Sequence, residues 1–77
     1  MKTLTLSQMT FFNHLNTNDF KNRVLKRQNA MGLDGAFYFT IGEMQSETDN
    51  YSFDDLNDDQ QEEFISALIL EMPEIEF

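Results

Sequence analysis

Ala36-Phe37-Tyr38-Phe39-Thr40-Ile41 is the stretch on which the fold turns. Aromatic and β-branched residues suit a pleated strand, and the run alternates poorly. It therefore reads as a strand buried on both faces, or as one with an aromatic outer face that serves a contact. Leu33-Asp34-Gly35 ahead of it is turn chemistry, because Asp-Gly tolerates positive φ. A strand needs a partner, and three segments offer one: residues 2–6, where Thr3-Leu4-Thr5-Leu6 alternates with period two; residues 51–53, beyond the polar loop from Gln45 to Asn50; and the tail 74–77. On these grounds the chain is expected to be α+β.

The segments on either side read as helices. Ser7 is placed to cap a short helix running to about Asn16, with Met9, Phe12 and Leu15 on one face and Phe11 alongside. Asn16-Thr17-Asn18 interrupts the pattern, and Thr17 or Asn18 caps a second helix over residues 18–31, where Phe20, Val24 and Met31 share an arc with Leu25 further round. Gly32 ends it as a left-handed cap. Downstream, Asn57 and Gln60 have the capping-box spacing, and Asp58 and Asp59 add negative charge where the helix dipole favours it. A third helix over residues 58–72 follows, stopped by Pro73. Its Phe64, Ile65, Ala67, Leu68, Ile69, Leu70 and Met72 surround nearly the whole circumference, so a homodimer or an obligate partner is expected to cover what a small monomer leaves open.

The 77 residues allow one domain, 1–77, with a modest core, since a chain of this length buries roughly 60% of the surface that its unfolded form exposes. Eight Phe and five Met argue for a folded domain rather than a disordered acidic tail. With no Cys, neither a disulfide framework nor a thiolate zinc site supplements the core. The opening residues are too broken by Thr, Ser and Gln for a signal peptide, and no apolar run reaches the roughly 20 residues of a membrane span. A cytoplasmic location is the expectation.

Charge is divided sharply along the chain. Lys2, Lys21, Arg23, Lys26 and Arg27 lie in residues 1–42 with only Asp19 and Asp34, giving +3; from Glu43 onward there are carboxylates without a single Lys, Arg or His, giving −12 and a net charge of −9. Such a field opposes compaction and attracts only cationic partners. Its densest part is Asp54-Asp55-Leu56-Asn57-Asp58-Asp59-Gln60-Gln61-Glu62-Glu63, six carboxylates in ten residues.

The plainest account of that segment is a solvated loop and helix N-terminus. A second account is imitation of nucleic acid. Phosphates recur about every 3.4 Å along each strand of duplex DNA, and side chains three or four residues apart on a helix stand about 5–6 Å apart, so carboxylates on a helix and its flanking loop approximate a line of phosphates. Glu47 and Asp49 extend the line upstream. Phe53 and Leu56 interrupt it at helical spacing, either as part of the domain's own core or as an apolar anchor rimmed by charge. The expected partner-binding set is therefore Glu47, Asp49, Phe53, Asp54, Asp55, Leu56, Asp58, Asp59, Glu62 and Glu63.

Other chemistries fit less well. Aligning Asp55, Asn57 and Asp59 with the first positions of a calcium loop puts Gln60 where Gly is required and Ser66 where the bidentate Glu should be, so no metal or cofactor is expected beyond weak divalent-ion association. Lys21, Arg23, Lys26 and Arg27 with Asn22, Gln28 and Asn29 make helix 18–31 a candidate DNA reader, the basis of an antitoxin-like alternative in which the acidic half binds a second protein. These cations more simply pair with the acidic half of the chain. A structural adaptor binding through helix 58–72 is the other alternative. His14 has no nucleophile and orienting group beside it in sequence, and the chain is read as a binding protein rather than an enzyme.

The segment from Phe53 to Glu63, together with the small size and the missing cysteine, resembles at class level the small acidic inhibitors encoded by bacteriophages, including DNA mimics and anti-CRISPR proteins. The resemblance implies a viral protein, acting in the host cytoplasm, that occludes the basic nucleic-acid-binding groove of a DNA- or RNA-acting protein without touching nucleic acid or membrane itself. These inhibitors share no common fold, so the resemblance assigns no role to any single residue.

Overall fold

The computed structural model describes residues 4–72, and every regular element among them is helical. α1 spans Leu6–Leu15, α2 spans Asn18–Thr48, a 3-10 turn spans Ser52–Asp55, and α3 spans Asp58–Leu70. The expected α+β architecture is thus corrected to all-α. Ala36 to Ile41 lies inside α2. Of the three candidate partner strands, Leu6 opens α1, residues 52 and 53 belong to the 3-10 turn, and the tail 74–77 lies outside the described residues.

Burial explains the correction. A strand would put Phe37, Phe39 and Ile41 on one face, yet Phe37 and Ile41 are buried while Phe39 is 54% exposed. The buried positions are Ala36, Phe37, Thr40, Ile41, Met44 and Gln45, which is the three- and four-residue recurrence of a helix face. Strand propensity is a weak preference, and a core on one face overrides it.

Each helix start has a chemical cause. Thr5, not Ser7, caps α1: its hydroxyl accepts from the Gln8 N–H at 3.2 Å, and Gln8 Oε1 accepts from the Thr5 N–H at 2.9 Å, a complete capping box. Thr17 caps α2 by accepting from the Phe20 N–H. Asn57 and Gln60 form the expected reciprocal pair at α3, with Asn57 Oδ1 accepting from the Gln60 N–H at 2.9 Å and Gln60 Oε1 accepting from the Asn57 N–H at 3.0 Å.

α2 is not straight. Gly32 takes φ 75° and ψ 167°, a conformation essentially confined to glycine, and divides the helix into arms 18–31 and 33–48. The expected interruption at Gly32 is present, but not as a left-handed cap, since ψ 167° lies far from that region, and helix resumes at once instead of giving way to an Asp34-Gly35 turn. The arms fold back on one another. Arg23 and Arg27 of the first reach Glu43 of the second, and the rings of Phe20 and Phe37 lie 5.8 Å apart. The second arm runs on to Thr48, through much of the segment read as a polar loop, and Asp49 closes it in the left-handed conformation, φ 54°.

The core is one cluster of aromatic and aliphatic side chains. Phe64 of α3 meets Phe12 and Phe53 edge-on, each at 5.2 Å between centroids, and stacks on Phe11 at 6.4 Å. α1 thus covers Phe64 through Phe11 and Phe12. Leu15, Val24, Ile41 and Leu68 are fully or almost fully buried behind it. The side chains of Asn50 and Ser52 both donate to the Ser7 carbonyl, at 3.2 and 3.3 Å, and fasten the segment before the 3-10 turn to α1. The all-round apolar character of α3 resolves into a buried face, Phe64, Ile65 and Leu68, and an exposed Leu70. No helix among the described residues is long and apolar enough to cross a membrane.

A candidate acidic interface

Two groups of carboxylates are distinguished by what they face. Glu43 is held by two arginines: Arg27 donates from Nη1 to Oε1 and from Nη2 to Oε2, both at 3.0 Å, and Arg23 Nη1 donates to Oε1 at 2.8 Å. The same Arg23 Nη1 reaches Glu47 Oε2 at 2.9 Å, and its Nη2 lies 3.0 Å from Asp19 Oδ2. Arg27 takes foremost responsibility for holding the Glu43 carboxyl below its ordinary pKa, against partial desolvation, with Arg23 adding to it. Glu47 in turn is the chief cause that raises the Arg23 pKa further above its already high value. Glu47 is thus engaged within the chain, which lowers its availability to a partner.

The second group lies on the 3-10 turn and the first two turns of α3. Asp54, Asp55, Asp58, Asp59, Glu62 and Glu63 are all exposed, and no ion pair among the described residues reaches any of them. Asp54 Oδ1 accepts from Gln45 Nε2 at 3.3 Å. On α3, Asp58 and Glu62 lie one turn apart, as do Asp59 and Glu63, so each pair stacks along its own flank of the helix. No group of three or more His, Asp or Glu among the described residues is placed to hold a metal ion. Negative charge here is spread along a surface rather than converged on a point. Asp49 is exposed at the end of α2.

Phe53 and Leu56 do not belong to that surface. Phe53 is 3% exposed and touches the rings of Tyr38 and Phe64, and Leu56 is buried in the same core. Of the two accounts given for these residues, the structure places them in the domain's own core. They hold the 3-10 turn against α3, and Gln61 Nε2 reinforces the hold by donating to the Phe53 and Leu56 carbonyls at 3.3 and 3.2 Å.

Sequence reasoning missed two contributors. Asp34, read as a turn residue, stands on the second arm of α2 and lines one groove with Tyr38 and Glu62. Tyr38, read as a strand residue, is 42% exposed there. Helical spacing of Asp34 and Tyr38 would have found them once the segment was assigned to a helix. Of the cations of the basic helix, Arg23 and Arg27 are committed to Glu43, Glu47 and Asp19, Arg27 also donates to Thr40 Oγ1 at 3.1 Å, Lys21 is half-buried, and Lys26 is exposed. His14 is exposed in the last turn of α1.

No protein-family model, curated protein or solved structure matches the chain.

Proposed function

We propose that the protein is an acidic binding protein that occludes the basic nucleic-acid-binding groove of a DNA- or RNA-acting partner, in the manner of a bacteriophage-encoded inhibitor. One observation carries this reading: six exposed carboxylates between Asp54 and Glu63 sit together on the 3-10 turn and the start of α3, while the arginines of the chain neutralise Glu43 and Glu47 instead. A groove lined with Lys and Arg would meet this surface through the same long-range attraction that draws it to phosphates, and charge complementarity of this kind speeds encounter and selects partners. The anchor is electrostatic, because Phe53 and Leu56 are committed to the core.

Replacing Asp54, Asp55, Asp58, Asp59, Glu62 and Glu63 by their amides tests this. The amides keep side-chain shape, and circular dichroism reports whether the helices survive. Capture of basic nucleic-acid-binding proteins from bacterial lysate at low salt is expected with the native chain, and the amide variant is expected to lose at least tenfold in captured protein. Equal capture by both chains, or capture that does not respond to salt, would leave the acidic surface with a solubilising role only.

The antitoxin-like alternative requires helix 18–31 to offer its cations to DNA, and the engagement of Arg23 and Arg27 with carboxylates counts against it. A low-salt gel shift with duplex DNA separates the two, since a nucleic-acid mimic gives none. The adaptor alternative draws some support from Leu70, 82% exposed on α3, and predicts binding that tolerates high salt.

A further inference from the structure

Between the second arm of α2 and α3 runs a groove of about 240 Å³ lined by Asp34, Tyr38, Glu62, Ile65, Ser66 and Ile69. Its floor is apolar, with Ile65 buried and Ile69 half-buried. Its walls carry one carboxylate each, Asp34 from α2 and Glu62 from α3, and Asp58 lies one turn before Glu62. No Lys, Arg or His lines it. Tyr38 stands on the α2 wall one turn after Asp34, its ring 6.2 Å from that of Phe53 and 42% of its surface open to solvent. Burial, and then the fields of Glu62, Asp34 and Asp58, hold the Tyr38 phenol above its ordinary pKa.

The chain already shows what such a set of groups holds. On the other flank of the same arm, Arg27 lies 4.7 Å over the Phe39 ring while its guanidinium forks onto Glu43. An aromatic face with a carboxylate beside it is the setting in which a guanidinium gains both stacking and charge-assisted hydrogen bonds. The Tyr38 groove presents the same pair of groups outward, with a second carboxylate opposite and an apolar floor suited to the methylene stem of a long cationic side chain.

We propose that this groove seats an arginine side chain of the basic partner, its guanidinium stacked on Tyr38 between Asp34 and Glu62 and its stem along Ile65 and Ile69. The proposal rests on the acidic-interface reading and adds to it a seat of defined chemistry. Arginine is favoured over lysine because a planar, weakly hydrated guanidinium both stacks and forks, whereas an ammonium is a compact, strongly hydrated charge.

The test uses the full ¹⁵N-labelled chain titrated with hexa-arginine and, separately, hexa-lysine, peptides of equal charge, at low salt. Hexa-arginine is expected to shift the amide resonances of Asp34, Tyr38, Glu62, Ser66 and Ile69 and to bind several-fold tighter than hexa-lysine. Tyr38→Leu, which keeps an apolar contact on Phe53, is expected to lower hexa-arginine affinity about tenfold, between the values of an exposed and a desolvated cation–π contact, and to bring it level with hexa-lysine; Tyr38→Phe retains the preference. Equal binding of both peptides that ignores Tyr38→Leu overturns the seat and leaves the acidic surface standing. A second groove, between α1 and α3, is lined by residues that include Phe12, Leu56, Glu63 and Ala67, and shifts centred there overturn the proposal in its favour. No binding of either peptide overturns the acidic-interface reading together with it.

Discussion

Arg27 grips Glu43 with two parallel hydrogen bonds, Nη1 to Oε1 and Nη2 to Oε2, each 3.0 Å, across the two arms of α2. The residues are separated by the Gly32 break, so the pair joins two helical segments rather than neighbours on one. Arg23 adds a third hydrogen bond to the same carboxylate, and its own contacts to Glu47 and Asp19 extend the network over both arms. In a chain of net charge −9, this is where cation and carboxylate offset one another. Among the described residues, the carboxylates of the 3-10 turn and α3 stand outside this network, as do Asp34 and Asp49.

The depressed pKa of Glu43 sets a pH signature. A carboxyl whose folded pKa lies below its ordinary value of 4.5 contributes stability that is present above that value and lost as pH falls through the folded pKa. Glu43→Gln should therefore cost about 1 kcal/mol near pH 7, in keeping with a partly exposed pair. Urea unfolding of native and variant chains at stepwise lower pH should show this gap closing below pH 4.5. A gap that stays constant to pH 3 would deny the carboxylate its assigned part.

Two glycines of α2 should respond oppositely to alanine. At Gly32 an added Cβ meets nothing within 4 Å, so the cost of Gly32→Ala comes from the backbone alone, at φ 75°, and should be ~1–3 kcal/mol. At Gly42 an added Cβ also meets open space, but the backbone is ordinary helix, and Gly42→Ala should stabilise by roughly 0.5–1 kcal/mol. Chemical denaturation measures both. Gly32→Ala should also be checked by size-exclusion chromatography, because straightening α2 would separate the arms and favour exchange between two chains. Equal and small effects at the two sites would remove the special role given to the break.

Phe53 separates fold from interface. Because its ring contacts Tyr38 and Phe64 and is 3% exposed, Phe53→Ala should cost about 3–5 kcal/mol, a large share of the stability of so short a chain. The loss should appear in thermal unfolding before any partner is added. A Phe53→Ala chain that keeps its melting temperature yet loses partner capture would return Phe53 to the interface.

Much of the candidate site was legible beforehand. The carboxylates from Asp54 to Glu63 and the capping box at Asn57 and Gln60 are local features, and local features survive whatever the rest of the chain does. Internal pairing of the basic helix followed from charge balance. Assignment of residues 36–41 to a strand failed because the run was weighed without its flanks: extended from Leu33 to Gln45, the buried positions recur at helical spacing, and Thr40 and Gln45 on the buried face obscured that period. Tyr38 and Asp34 were lost to the site by the same misassignment, since an extended run would have set positions 34 and 38 about 13 Å apart, whereas the helix brings them within one turn.

Sequence by itself determined where the charges lie along the chain, where α3 begins, and that Gly32 interrupts a helix, because charge count, capping hydrogen bonds and glycine's freedom at positive φ each depend on a few adjacent residues. Only the tertiary structure decided that Phe53 and Leu56 turn inward, that Glu43 and Glu47 are met by arginines from the opposite arm, and that Asp34 and Glu62 flank Tyr38. Those facts depend on how helices distant in sequence pack, and packing is governed by the shape of the whole core rather than by any local pattern.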